Sequence, residues 1–161
     1  MWFTMRPVEM GFLETAPKRW VIEREVAAPI ADVWRLYTDA TTWSRWFPGV
    51  AWARYRGEPP YGVGTVREAM VRKHRFEETM LAWEDRRIWA YRIDRCGAPL
   101  ADAQLESTEF SSTSNGDTRL RWVIACDPGL RILRVGAPFF ERVAGKLFDE
   151  ALRNLQGCLT R

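Results

Sequence analysis

From residue 50 to residue 126 the hydrophobic pattern repeats every two residues, and this constrains the fold more than any other feature. Six strand-length runs follow one another: "VAWARYR", "GTVREAMV", "HRFEETMLAWE", "RRIWAYRI", "ADAQLESTEF" and "TRLRWVIAC". Turn chemistry separates them at Glu58-Pro-Pro-Tyr-Gly62, Arg72-Lys73, Glu84-Asp85-Arg86, Cys96-Gly97-Ala98-Pro99 and Ser114-Asn115-Gly116-Asp117. Connections this short join antiparallel neighbours, because parallel ones need a crossover. Asn115-Gly116 between two alternating runs is the strongest hairpin signal. In "TRLRWVI", Leu120, Trp122 and Ile124 share one face while Arg119 and Arg121 take the other. "WAYRI" sets Trp89, Tyr91 and Ile93 against Ala90 and Arg92, as expected of a sheet with one wet face.

Helical periodicity flanks this block. "RWVIEREV" reads as a first strand, and "APIADVWRLYTDA" as a helix with Pro29 in its first turn, Asp32 at its positive end and a stripe of Ile30, Val33, Trp34 and Tyr37. "TTWSRWF" is a second, shorter helix, with Asp39 or Thr41 as cap and Pro48-Gly49 as its stop. Asp127-Pro128-Gly129 ends the strands, and the "RILRVGAP" connection that follows has no readable period. Pro138 then opens "FFERVAGKLFDEALRNLQGCL", striped by Phe140, Val143/Ala144, Leu147/Phe148, Ala151/Leu152 and Leu155. Gly145 costs such a helix ~1 kcal/mol relative to alanine, which points to packing against a neighbouring strand. The order strand, two short helices, six strands, long helix gives an α+β class: a curved seven-stranded antiparallel sheet wrapped around the terminal helix. One diagonal helix cannot fill the whole concavity, so a hollow is expected.

Composition narrows the function. A chain of 161 residues with 47% hydrophobic and 28% charged residues suits one globular domain. The net charge of +3 is spread among acids rather than gathered into a patch, which speaks against nucleic acid. Its densest basic run, Arg72-Lys73-His74-Arg75, reads as a solvated turn. Cys96, Cys126 and Cys158 are odd in number and form no CxxC or Cys/His cluster, so no disulfide framework, metal site or cofactor is expected. The opening residues lack a continuous apolar h-region, and nothing reaches the ~18 apolar residues of a membrane span. The expected setting is therefore cytoplasmic, without stable membrane insertion.

Several stretches together resemble the helix-grip superfamily that contains START lipid-transfer domains, pollen-allergen-type proteins and the polyketide cyclase/dehydrase group (SRPBCC). "VAAPIADVWRLYTDATTWSRWFPGV" is similar to its first helical segment, which closes on a Trp-x-x-Trp-x-Pro turn. "GVGTVRE", "ETMLAWEDRRIWAYRI" and "GDTRLRWVI" are similar to its Gly-x-Gly strand entry, its Trp-Glu-x-x-Arg hairpin and its penultimate strand. The matches keep family order across residues 20–126. Residues 1–17 fall outside them, as an N-terminal extension to a single domain at 18–161. The resemblance implies a helix-grip fold and an internal cavity for a hydrophobic small molecule such as a lipid, an acyl chain or a polyketide-like aromatic.

The candidate lining of that cavity is Trp43, Trp46, Phe47, Met70, Phe76, Met80, Trp89, Tyr91, Trp122, Phe140 and Phe148. Trp34 reads as packed core. For acid/base chemistry the candidates are Glu68, Glu78, Tyr91 and the single histidine, His74. In "GTVREAMV" either Glu68 or Arg67 faces inward, and in "FEETMLAW" either Glu78 or Glu77; the alternation alone does not choose. Cys126 follows Leu120, Trp122 and Ile124 inward as an inert buried thiol. Three functions are compatible with these residues. The first is a carrier or binding domain for an apolar molecule. The second is a polyketide cyclase/aromatase or dehydratase, which requires paired polar groups in the pocket. The third is a protein-interaction module whose cavity has collapsed. Oligomeric state is not encoded in these patterns.

Overall fold

The computed structural model describes residues 1–129 and 137–159, with residues 137–140 described by their backbone only. The unassigned connection after Gly129 and the side chain of Phe140 therefore lie outside the described residues. In chain order the elements are β1 (Phe3–Thr4), α1 (Phe12–Thr15), β2 (Lys18–Val26), α2 (Ile30–Thr38), a 3-10 turn (Ala40–Thr42), α3 (Trp43–Trp46), β3 (Val50–Tyr55), β4 (Val66–Val71), β5 (His74–Glu84), β6 (Ile88–Cys96), β7 (Ala103–Ser112), β8 (Thr118–Asp127) and α4 (Ala137–Leu159). This is a helix-grip fold.

Seven strands run in the order β2-β8-β7-β6-β5-β4-β3, every described neighbour pair antiparallel. The first strand pairs with the last, Lys18 opposite Cys126 through Val26 opposite Thr118. The sheet bends because the β5–β6 register shifts at Glu77/Glu78 and again at Met80/Ala82; extra residues of this kind curl a strand. The Asn115-Gly116 signal closes the β7–β8 hairpin, with Gly116 at φ +84° and its N–H donating to the Thr113 carbonyl. Gly116 thus supplies the left-handed residue the loop needs.

Residues 1–17 lie against the sheet and contribute an eighth strand among the described residues. Strand β7 pairs with β6 only from Ile88 to Arg92. Beyond that point β1 takes the vacated edge, Phe3 opposite Cys96 and Thr4 opposite Arg95. Val8 and Phe12 then pack on Ala103, Leu105 and Ala125, forming a small second core on the outer face.

The inner face carries the main core. Helix α2 starts after Pro29 and buries Val33, Trp34, Leu36 and Tyr37. The Asp39 carboxylate accepts from the Thr41 N–H at 3.0 Å and so caps the 3-10 turn. Tyr37 is the hub of an aromatic cluster, with ring centroids 5.1–5.5 Å from Trp43, Trp46, Trp89 and Phe110. Its hydroxyl exchanges a hydrogen bond with the buried Thr108 hydroxyl at 2.8 Å. Helix α4 packs against α3, β2 and α2. Asn154 donates to the Trp46 carbonyl at 3.1 Å, and Arg24 pairs with Asp149.

No close approach demands glycine at position 145. A Cβ there would meet only the Arg24 guanidinium, at an ordinary 3.8 Å. Gly145→Ala is therefore expected to stabilise the protein by about 0.5–1 kcal/mol, through helix propensity and lost freedom of the unfolded chain. Chemical denaturation of the two proteins checks this, and a loss of stability would show a tighter contact at that turn.

Candidate functional site

Between the concave sheet, α3 and α4 lies a cavity of about 410 Å³. Its size falls within the range of small-molecule sites. The collapsed interior expected of an interaction module is thus not what these residues build. The walls are mostly apolar: Trp20 from β2, Trp43 and Phe47 around α3, Ala53, Ala69 and Val71 from β3 and β4, Phe76 and Ile93 from β5 and β6, and Trp122 and Ile124 from β8. Helix α4 contributes Val143, Ala144 and Leu147. Leu100 and Val143 line the same space yet are exposed, which places the mouth between the β6–β7 connection and α4.

Two polar groups interrupt this lining. The first is an ion pair on the floor. Register pairs Arg67 of β4 with Glu78 of β5, and both point inward. Arg67 is 2% exposed and Glu78 4%, and the Arg67 Nε donates to the Glu78 carboxylate at 2.5 Å. The guanidinium carbon also lies 4.3, 4.7 and 4.6 Å from the ring centroids of Trp43, Trp89 and Tyr91. Among the described residues its Nη1 has no hydrogen-bond acceptor, and the ring quadrupoles supply attraction in its place. Burial works against this charge, but Glu78, followed by Tyr91 and Tyr55, more than offsets it and holds the Arg67 pKa above its ordinary value.

The second group is Glu106 of β7. Its carboxylate accepts from the Tyr91 hydroxyl at 2.8 Å, the Trp122 Nε1–H at 3.1 Å and the Gln104 amide at 2.7 Å. All three donors are neutral. Burial dominates, and it pushes the carboxyl pKa of Glu106 above the usual range despite those bonds. Burial likewise raises the Tyr91 phenol well above its ordinary value, with Glu106 adding to the effect. Glu106 retains some accessible surface because it faces the cavity.

The open choice on β4 and β5 resolves in favour of Arg67 and Glu78. Glu68 and Glu77 point outward. There Glu68 binds Arg54 and Arg56 while Glu77 binds Arg56 and Arg95. These arginines hold both carboxyls below the usual range. Glu68 is thus part of a surface ion-pair ladder and not a cavity acid. Met70 shares its outward face and does not line the cavity. His74 begins β5 opposite Val71, at the edge of the turn, and does not itself line the cavity.

The remaining candidates divide by position. Trp43, Phe47, Phe76, Tyr91 and Trp122 line the cavity. Trp46, Met80, Trp89 and Phe148 are fully buried in the core behind it. Trp34 packs edge-on against Phe110 in that core. Cys126 also reaches the cavity wall; burial pushes its thiol up to about 12, so it stays protonated and unreactive near neutral pH. The three cysteines are free, and no metal-binding cluster occurs among the described residues. Among those residues no helix is long and apolar enough to cross a membrane.

Sequence reasoning did not find Glu106. Alternation in "ADAQLESTEF" sets Leu105 against Gln104 and Glu106, and the apolar face reads as the inner one. Val8 and Phe12 explain why it is not: they bury Leu105 on the outside.

Solved structures of similar shape support the architecture. A START superfamily protein from Mycobacterium smegmatis superposes with a TM-score of 0.69 at 13% identity, over 86% of this chain and 94% of the other. Ara h 8.0201 gives 0.68 at 12% identity, over 89% and 99%. A protein from Thermobifida fusca gives 0.67 at 24% identity, over 86% and 90%. At these identities the likeness is one of fold alone. No curated protein matches the chain. The family model described as polyketide cyclase / dehydrase and lipid transport matches residues 19–158, and the chain belongs to that family.

Proposed function

We propose that this protein binds a hydrophobic small molecule inside the grip of its sheet. The observation that carries the reading is the apolar cavity of about 410 Å³, which the surrounding tryptophans and phenylalanines leave open. Removing apolar ligand surface from water favours occupancy by about 25 cal/mol per Å². The few polar groups at the floor would fix the orientation of the occupant.

Native mass spectrometry of gently purified protein, together with thermal melts across a panel of alkyl and aromatic compounds, tests this. A ligand present at about a hundred times its Kd stabilises the folded state by ~2.7 kcal/mol. For a chain of this length that corresponds to a rise in Tm of roughly 5–10 °C. Ala144→Phe, which extends a ring from α4 into the cavity, should abolish the shift while the protein still melts cooperatively. Protein free of any bound species and unmoved by the whole panel would overturn the reading.

A second reading rests on Tyr91 and Glu106. The hydrogen-bonded pair in the cavity is the arrangement that a cyclase or dehydratase needs. In that role an ionised Glu106 would take a proton from a methylene between two carbonyls. The enolate carbon would attack a ketone carbonyl further along the chain, forming the ring C–C bond, and Glu106 would return the proton to the resulting alkoxide, giving a hydroxyl. A synthetic poly-β-ketone thioester incubated with the protein would then cyclise faster than in buffer, and Glu106→Gln would remove the acceleration. Equal rates with and without protein would reject it.

A further inference from the structure

The ionisable side chains on the cavity wall do not balance. Arg67 and Glu78 cancel each other across a 2.5 Å contact. Among the described residues Glu106 has no such partner, since Tyr91, Gln104 and Trp122 each supply a neutral donor. Its Oε2 accepts two of those bonds and its Oε1 one, whereas a carboxylate can accept about four. Once Glu106 is ionised, one acceptor position and one negative charge are left over in a largely apolar enclosure.

We propose that the occupant of this cavity is a hydrophobic amine, its ammonium group seated on Glu106 and its apolar body against Phe47, Ile124 and Leu147. This deepens the binding reading and rests on it. A protonated amine is the head group that supplies both the missing donor and the missing charge. A hydroxyl would supply the donor alone and leave the charge uncompensated. A carboxylate would add a second negative charge and a second cost of dehydration.

The titratable groups that act on Glu106 or feel it are Tyr91 on β6 and Cys126 on β8, the two neighbouring strands, together with Glu78 on β5 and Tyr37 on α2. The described α4 lining of Val143, Ala144 and Leu147 carries no charge. Burial keeps the proton on Glu106 to a higher pH than usual when no cation is present. Seating an ammonium group on Glu106 requires the ionised form. Affinity for an amine should therefore climb with pH until Glu106 is ionised, and fall again only where the amine itself loses its charge.

Titration calorimetry with decylamine, decanol and decanoate, below the concentrations at which they aggregate, provides the test. Near neutral pH decylamine should bind at least roughly tenfold more tightly than decanol, the difference between a charge-assisted and a neutral hydrogen bond. Glu106→Gln should bring the ratio of the two affinities to about one. Should that variant not fold, the pH dependence of the decylamine-to-decanol ratio in the unaltered protein decides the matter, because it rises with pH only if a carboxyl must ionise. Binding of decanol or decanoate with no preference for the amine overturns the head-group assignment and leaves the binding reading standing. Failure of all three compounds to bind sinks the binding reading and this inference together.

Discussion

Replacing Arg67 with methionine should lower stability by about 3–5 kcal/mol, the cost of removing one partner from a buried ion pair. Nothing else described near Glu78 carries a positive charge into the cavity, so its carboxylate would be stranded at 4% exposure. The variant would also lose a cation held within 4.7 Å of three ring centroids. For a protein of this size the Tm should fall by roughly 6–20 °C. The double variant Arg67→Met/Glu78→Leu separates the causes. With both charges gone no uncompensated group remains, and most of the lost stability should return. If the double variant is as unstable as the single one, the ring contacts and not the stranded carboxylate set the cost. If the single variant melts within a degree or two of the parent, the pair is not buried as described.

The Arg67–Glu78 pair would thus serve the cavity more than the stability of the fold. A well-packed apolar pair of similar volume would hold the strands together as well or better. A charged pair, by contrast, sets the register of β4 on β5 and presents polar atoms to an occupant. Glu106 is unlike it. Because burial raises its pKa, folding is favoured while it keeps its proton, and that contribution disappears as the pH climbs through the folded pKa. The unliganded protein should therefore lose stability across that window, and Glu106→Gln should flatten the decline in pH-dependent melts. An unchanged slope in the variant would assign the effect to other groups.

The order of elements was legible in the sequence because turn chemistry punctuates it: every strand from β3 to β8 lies between Gly, Pro, Asn or charged turn residues. Helix α4 was legible from its stripe. Which face of each strand looks inward was not. On β4 the two alternating sets, Val66/Glu68/Met70 and Arg67/Ala69/Val71, are nearly equal in polarity, and only the curvature decides between them. On β7 the outer face is itself buried by Val8 and Phe12, so the apolar set misleads. The short β1 strand gave no signal, since two residues have no period. Ring size did not separate lining from core either: Trp43 and Trp122 border the void while Trp46 and Trp89 sit behind it. That division depends on where the sheet bends, and the bends come from register shifts with no local signature.

Phe148→Ala carries the other large effect. Phe148 is fully buried on α4, with its ring centroid 4.7 Å from that of Trp122. Truncating a buried phenylalanine costs about 3–5 kcal/mol, part lost transfer energy and part the void left behind. Here the void would open behind Trp122, a wall of the cavity, instead of in sealed core. The tryptophan would lose its backing, and with it the fixed position from which its Nε1–H reaches Glu106. Denaturant titration should therefore show a drop of this size without ligand. A saturating ligand with a bulkier apolar body should return part of it, because an occupant refills the space and stabilises the folded state by mass action. A drop below ~1 kcal/mol would show that Phe148 is not packed as described. A full drop that no ligand in the panel relieves would mean that the space behind Trp122 stays closed to the cavity.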